Sequence, residues 1–229
     1  MIRHANAQYN LAAPESLPVR VAARVRRCMF EAFMAEFGPR RSETVLDVGA
    51  TSDQTYIHSN YFEAYYPFKN QITAVGVDDA SFLQTLYPGV RFVFTNGLDL
   101  PFPTGAFDLV HSSAVLEHVG SWENQSRMIF ECLRVACRGI FLTTPNRWFP
   151  IEFHTQLPLF HWLPTPVYRA IYQAMGYGFF AEEGNLNLMT RAHLQRATTR
   201  FSGWRFKVES ARLLGLKSNL ILIAHRWPQ

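Results

Sequence analysis

Several features are scarce or missing in this 229-residue sequence. It has 3 cysteines, Cys28, Cys132 and Cys137, without C-x-x-C spacing. Such an odd set indicates neither a disulfide framework nor a zinc site, so no metal centre is expected. No apolar run approaches the roughly 18 residues of a membrane-crossing helix. The opening "MIRHANAQYNLAAPE" lacks the apolar segment of a secretory signal, and a cytoplasmic location is the default expectation. Charged residues are 17% of the chain against 48% hydrophobic, which excludes a disordered protein. Lysine is rare: only Lys69, Lys207 and Lys217 accompany the arginines. The net charge of +4 is scattered, so no basic run demands nucleic acid. Repeats and low-complexity tracts are absent, and the length fits one domain with additions.

What is present is an alternation of two periodicities. Residues 19–37 place Ala22, Val25, Met29, Phe33 and Phe37 at three- and four-residue spacing, the pattern of an amphipathic helix stopped by Gly38-Pro39. Arg20, Arg24 and Arg27 share another face of it, either solvated or suited to peripheral contact with an anionic membrane surface. Strands are expected at 44–49, 72–77, 90–95, 107–113 and 139–144, with helices at 81–87 and 122–136. A further short helix is expected from Asp53, capped by Ser52 or Asp53. Apolar strands alternating with helices mean a parallel sheet covered on both faces, with ligands at the carboxyl ends of its strands. Residues 146–180 are dense in aromatics and proline and read as a cap inserted at about 146–185. A helix over 190–200, capped by Thr190, and an antiparallel pair of strands around Gly215 close the chain. The expected division is a helical extension over 1–43 followed by one α/β domain over 44–229.

The first strand runs into "VLDVGATSDQT", a turn with a single glycine. Dinucleotides need several glycines there for close approach of the pyrophosphate. Here Thr51 and Asp53 stand in the later glycine places, and Asp53 would bring a carboxylate near a phosphate. The P-loop pattern is missing as well. S-adenosylmethionine (SAM) has no phosphate and carries a sulfonium cation, so it suits a loop with carboxylates and one glycine. Asp78, at the end of the second strand, is either a ribose-binding carboxylate or a helix cap.

Four stretches carry a resemblance. "VLDVGA", "AVGVDD", "VRFVFTNGLDLPFPTGAFDLVHSSAVLEHV" and "ECLRVACRGIFLTTPNRW" resemble, in order and spacing, the motifs of class I SAM-dependent methyltransferases, the methyltransferase type 11 group above all. The resemblance covers about residues 44–148. It implies a Rossmann-like, doubly wound seven-stranded α/β sheet, mostly parallel with an antiparallel last strand. It implies that Asp47 and Gly49, with Ala50 and Thr51 in the same loop, hold the methionine end of SAM. Asp78 would bind the ribose, and Asp79 would lie beside the adenine. Asn96, Gly97 and Leu98 would edge the adenine, Asn96 standing where the family usually has Asp; its amide can still hydrogen-bond the ring. Ser112 and Ser113 would lie under the sulfonium, with Glu117-His118 on the next turn.

Methyl transfer is an in-line displacement, and positioning alone supplies roughly 7–11 kcal/mol. A general base adds about 10²–10⁴-fold for a hydroxyl acceptor. His118 is the first candidate base, against a loop-pinning role; His111, inside a strand, reads as a buried structural residue. Asn146 and Arg147 follow the fifth strand, and Arg147 either clamps an acceptor anion or pins the loop. His154 is a candidate acceptor contact. His154 and His161 are not expected to pair on a metal, because Pro158 separates them. Trp148, Phe149, Phe153, Phe160 and Trp162 line an acceptor pocket or form the cap's own core. The expected acceptor is a small molecule, lipid intermediate or glycan, with an apolar part. The alternatives are an RNA methyltransferase and a non-catalytic protein of the same fold.

Overall fold

The computed structural model describes residues 13–14, 16–56 and 58–227; most of the opening stretch read above for a leader lies outside the described residues. Seven strands form one sheet: β1 (Val45–Val48), β2 (Ile72–Gly76), β3 (Arg91–Phe94), β4 (Phe107–Ser113), β5 (Ala136–Pro145), β6 (Trp204–Leu213) and β7 (Leu216–Arg226). Their order is β3-β2-β1-β4-β5-β7-β6. The first five are mutually parallel, and β7 runs antiparallel to both β5 and β6. Six strands therefore point one way and the last points the other, as the resemblance implies. The order reverses between β1 and β4, so a crevice opens beyond their carboxyl ends.

Among the described residues α1 (Leu17–Phe37) precedes the sheet, and α2 (Tyr61–Tyr65), α3 (Phe82–Leu86), α4 (Trp122–Val135), α5 (Thr165–Ala174), α6 (Gly178–Ala181) and α7 (Arg191–Thr198) lie between its strands. α1 starts two residues before the expected position, with a proline in its first turn, and Gly38 ends it in the left-handed conformation. Its apolar stripe buries Val25, Met29, Phe33 and Phe37 against the β1–β2 side of the sheet. Phe33 is fully buried and touches Phe62, Phe141 and His111. On the other face α4 and α7 cover a second cluster around Val110, Met128, Ile140 and Leu222. Ser121 and Thr190 cap these two helices through their hydroxyls.

The helix expected from Asp53 does not form. The side chains of "TSD" take local backbone partners instead: Thr51 Oγ1 accepts from the Asp53 N–H, and Asp53 Oδ1 from the Thr55 N–H. Such bonds compete with helical ones. The helix begins eight residues later, at Tyr61. The cap region has a small core of its own, with Tyr168, Tyr172, Phe180, Leu186 and Leu188. No described helix is long and apolar enough to cross a membrane.

Candidate functional site

A cleft of about 400 Å³ lies over the carboxyl ends of β1, β2 and β4. Its floor is the loop Gly49–Ala50–Thr51, and Gly76 with Val77 and the run Thr95–Leu98 form one side. Ser113, Ala114, His118 and His154 form the other. The expected residues Gly49, Ala50, Thr51, Asn96, Gly97, Leu98, Ser113, His118 and His154 thus meet around one space.

The single glycine of the loop is explained by its neighbours. Gly49 has φ +112°, and a Cβ there would stand 2.1 Å from Val115 Cγ2. The second glycine this turn needs comes from β2: a Cβ on Gly76 would stand 2.2 Å from the Ala50 carbonyl oxygen. The N–H groups of Gly49 and Ala50 both donate to the Val75 carbonyl, which ties the loop to β2. Asn60 clamps it from above, accepting from the Thr51 N–H and donating to the Thr51 carbonyl. Ala114, at the end of β4, has φ +56°, which costs a residue with a Cβ about 1 kcal/mol or more and marks the turn that feeds the site.

Other expected residues lie beside the cleft and not in its lining. Asp47 is buried below the floor, where its Oδ1 meets His111 Nδ1 in a short contact. Burial raises its pKa to about 7. Ser112 is buried and donates to the Val48 carbonyl at 2.7 Å. Asp78 follows directly on Val77 at the rim and accepts from Ser52 Oγ at 3.2 Å. Asp79 is exposed and accepts from the Ser81 N–H ahead of α3, a bond that lowers its pKa. Asn146 donates to the Lys217 carbonyl and faces a separate recess with Trp148 and Thr190. Arg147 donates to the carbonyls of His161 and Leu163 and to Thr165 Oγ1. Of the two roles read for Arg147, a clamp or a loop pin, these bonds accord with the pin: its guanidinium spans two cap carbonyls.

His118 sits in a 3₁₀ turn after β4 and His154 in the cap, and the two Nε2 atoms are 3.1 Å apart. His118 Nδ1 faces the Asn185 carbonyl at 2.7 Å, and His154 Nδ1 faces Glu152 Oε1 at 2.7 Å. Burial, reinforced by His154, pushes the His118 pKa down to about 3. Burial also opposes charge on His154, but Glu152 outweighs it and the pKa rises. Glu152 is held at about 2 despite its burial, because His154 and the N–H groups of His154 and Thr155 surround it. Glu117 is fully buried and pushed up to about 7 by that burial. The His118 ring thus belongs to a four-residue cluster with Glu117, Glu152 and His154.

A second pocket of about 170 Å³ adjoins the cleft and shares Arg26, Ser113, Ala114 and His154 with it. Apolar residues of α1, including Val19, Ala22 and Met29, line it together with Phe153. Of the cap aromatics, Phe153 reaches this pocket and Phe160 packs on the cap core, whereas Trp148 and Trp162 are exposed on the surface. Sequence reasoning missed Arg26, Asn60, Glu152 and the lining role of α1. Only the spacing Glu152-x-His154 offered a signal.

The geometry has relatives. The methyltransferase domain family model matches residues 46–143. No curated protein matches the chain. Among solved structures, magnesium protoporphyrin IX methyltransferase from Synechocystis, solved with bound SAM, is 14% identical. The match covers 97% of this chain and 89% of that one, with a TM-score of 0.58. The 1,6-didemethyltoxoflavin-N1-methyltransferase of Burkholderia thailandensis was solved with bound 1,6-didemethyltoxoflavin and S-adenosylhomocysteine. It is 14% identical over 91% of this chain and 80% of its own, with a TM-score of 0.58. A SAM-dependent methyltransferase of Mesorhizobium loti is 15% identical over 90% of this chain and 100% of its own, again at 0.58. At these identities the likeness is one of fold. Residues 46–143 thus match the methyltransferase domain model, and the chain as a whole shares its fold with the solved methyltransferases.

Proposed function

We propose that the protein transfers a methyl group from SAM to a small-molecule acceptor with an apolar part. The observation that carries this reading is the pair of adjoining pockets with one shared wall. The larger, over the β1 loop, has the place and size for a nucleoside ligand. In it, Asp78 at the rim receives the ribose hydroxyls, and Asn96 to Leu98 edge the adenine. The smaller, lined by α1 and Phe153, receives the apolar part of the acceptor. Ser113, Ala114 and His154 stand at the junction, where the methyl group crosses. The volume of the second pocket, about 170 Å³, favours a small acceptor. The one-glycine loop was the support for a non-catalytic reading, and the close approach that Gly76 allows weakens it. The structures of Synechocystis and Burkholderia named above hold SAM or S-adenosylhomocysteine, which supports the choice of cofactor.

The test is thermal unfolding with S-adenosylhomocysteine. At about 100 times Kd the linkage is worth ~2.7 kcal/mol. For a chain of this size that is a rise in Tm of roughly 5–10 °C. NAD should give none. Asp78→Ala should remove most of the rise without lowering the Tm of the unliganded protein by more than about 2 °C. No shift at millimolar ligand would overturn the reading.

A further inference from the structure

Pro145 ends β5, and three segments distant in the chain gather around it. Its partner across the sheet is Asn219 of β7, so the turn between β6 and β7 lies at this end of the molecule. Pro18 and Val19, in the first turn of α1, line the second pocket together with Pro145 and Asn219. From the cap, Trp148 borders one recess with Lys217, and its ring lies 6.3 Å from that of Trp162. The start of α1, the cap and the β6–β7 turn thus share one end.

This end is apolar where it meets solvent. Leu214, at the tip of the turn, is 94% exposed, and Trp148 and Ile151 are about half exposed. Leu159, Trp162 and Leu216 join them. Single surface leucines are ordinary, but a neighbouring set of large apolar side chains marks a contact. Two of the set also sit in an unfavourable backbone. Leu214 has φ +50° and Leu159 φ +62°, a region that glycine or asparagine enters at little cost and leucine does not. Asparagine at Leu214 would relieve the strain and remove the exposed apolar surface, so neither the turn nor solubility accounts for leucine there.

The charge at the same end indicates what the leucines meet. Arg20, Arg212 and Lys217 are exposed on these segments. Carboxylates are missing from them: between Asn146 and Ala181 the sole acidic residue is Glu152, which is buried against His154. After Glu209 the chain has none, and α1 has none before Glu31. A second copy of this surface would set like charges together. A side chain as exposed as Leu214 projects from the surface, which suits insertion among headgroups better than packing on a flat protein face. An anionic bilayer takes both features, its headgroups facing the cations and its interface receiving tryptophan and leucine.

We propose that this end docks on an anionic lipid bilayer, with Leu214, Trp148 and Trp162 entering the interface and Arg20, Arg212 and Lys217 facing the headgroups. No described helix is long and apolar enough to cross the membrane, so the contact made by these residues is peripheral. The second pocket shares Pro18 and Asn219 with this end, and an acceptor with an apolar part reaches it from the bilayer. That route rests on the proposed methyl transfer; the docking does not.

The test is sedimentation of the full chain with vesicles of phosphatidylcholine and phosphatidylglycerol at roughly 2:1, and with phosphatidylcholine alone. Binding should be at least about 10-fold tighter to the anionic vesicles and should weaken in about 0.5 M NaCl. Lys217→Gln should weaken it about 5-fold. Leu214→Asn should weaken it about 10-fold without lowering the Tm, since the exchange relieves the turn. Failure to sediment with the anionic vesicles would overturn the docking. So would equal binding to both compositions, or undiminished binding by Leu214→Asn. A dimer in sedimentation equilibrium that Leu214→Asn dissociates would also overturn it, giving the surface to a second copy. The melting shift with S-adenosylhomocysteine is measured without vesicles, so the cofactor reading and the docking can fail separately.

Discussion

The protein holds two buried histidine–carboxylate clusters built from the same groups, and they differ in one respect. In the cluster beneath the sheet, His111 has both ring nitrogens engaged, one by Asp47 and the other by the Tyr61 hydroxyl at 3.2 Å. Its ring stacks on Phe62 at 4.1 Å and meets Phe33 edge-on, so water and ligands have no access. Burial pushes the His111 pKa down to about 3, and the ring stays neutral. In the cluster beside the cleft, the Nδ1 atoms of His118 and His154 face Asn185 and Glu152, and their Nε2 atoms meet each other at 3.1 Å. Their side chains keep 16% and 11% of their exposure, enough to meet a ligand. A histidine whose two nitrogens have internal partners is a piece of the core. Histidines that line a cleft, as His118 and His154 do, can meet what binds there.

The largest expected effect lies in the sealed cluster. His111→Ala opens a cavity and strands Asp47, and it should cost roughly 3–5 kcal/mol in urea unfolding. A loss below about 1 kcal/mol would break the comparison, because the ring would then be no structural piece. The open cluster should behave in the reverse sense. His154→Ala should lower kcat by about 10²-fold or more, while the melting shift given by S-adenosylhomocysteine persists. A variant that loses stability as His111→Ala does, yet keeps its kcat, would show that both clusters only hold the fold.

A smaller effect tests the electrostatics of the sealed side. Glu63 is fully buried in α2, and its carboxyl group faces that of Asp47. Burial raises its pKa well above 4.5, and the charge of Asp47 raises it further. A folded pKa above the unfolded one means stability that is complete below about pH 4.5 and lost as pH rises toward the folded value. Glutamine cannot ionise and escapes this loss. Glu63→Gln should therefore leave the Tm near wild type at about pH 4 and raise it by a few degrees at about pH 8. An equal effect at both pH values would mean that Glu63 is not titrating.

The strands and long helices were legible in the sequence, most of them within one or two residues, because each repeats a periodicity over five or more positions. The stripe from Val25 to Phe37 in α1 is such a case, as is the run of β4. The short helix after β1 was misplaced by eight residues, since its signal was only a capping side chain, and Thr51 and Asp53 spend theirs on the loop. The site was legible in part. Gly49, Asn96 and His118 are carried by motifs that are contiguous in the chain, so they can be read in order.

What the chain alone determined is the sheet, its direction and the strand ends around which a ligand gathers, because these follow from local periodicity and from the way parallel strands must be connected. Only the tertiary structure decided that His118 meets His154, 36 residues away, and that a carboxyl oxygen of Glu117 lies 3.8 Å from the His118 ring. It alone decided that Gly76 makes room for the Ala50 carbonyl, and that α1 walls the second pocket. Contacts of this kind depend on where a loop returns across the sheet. No spacing within one segment encodes that return, and it is settled by packing of the cap and α1 over the strand ends.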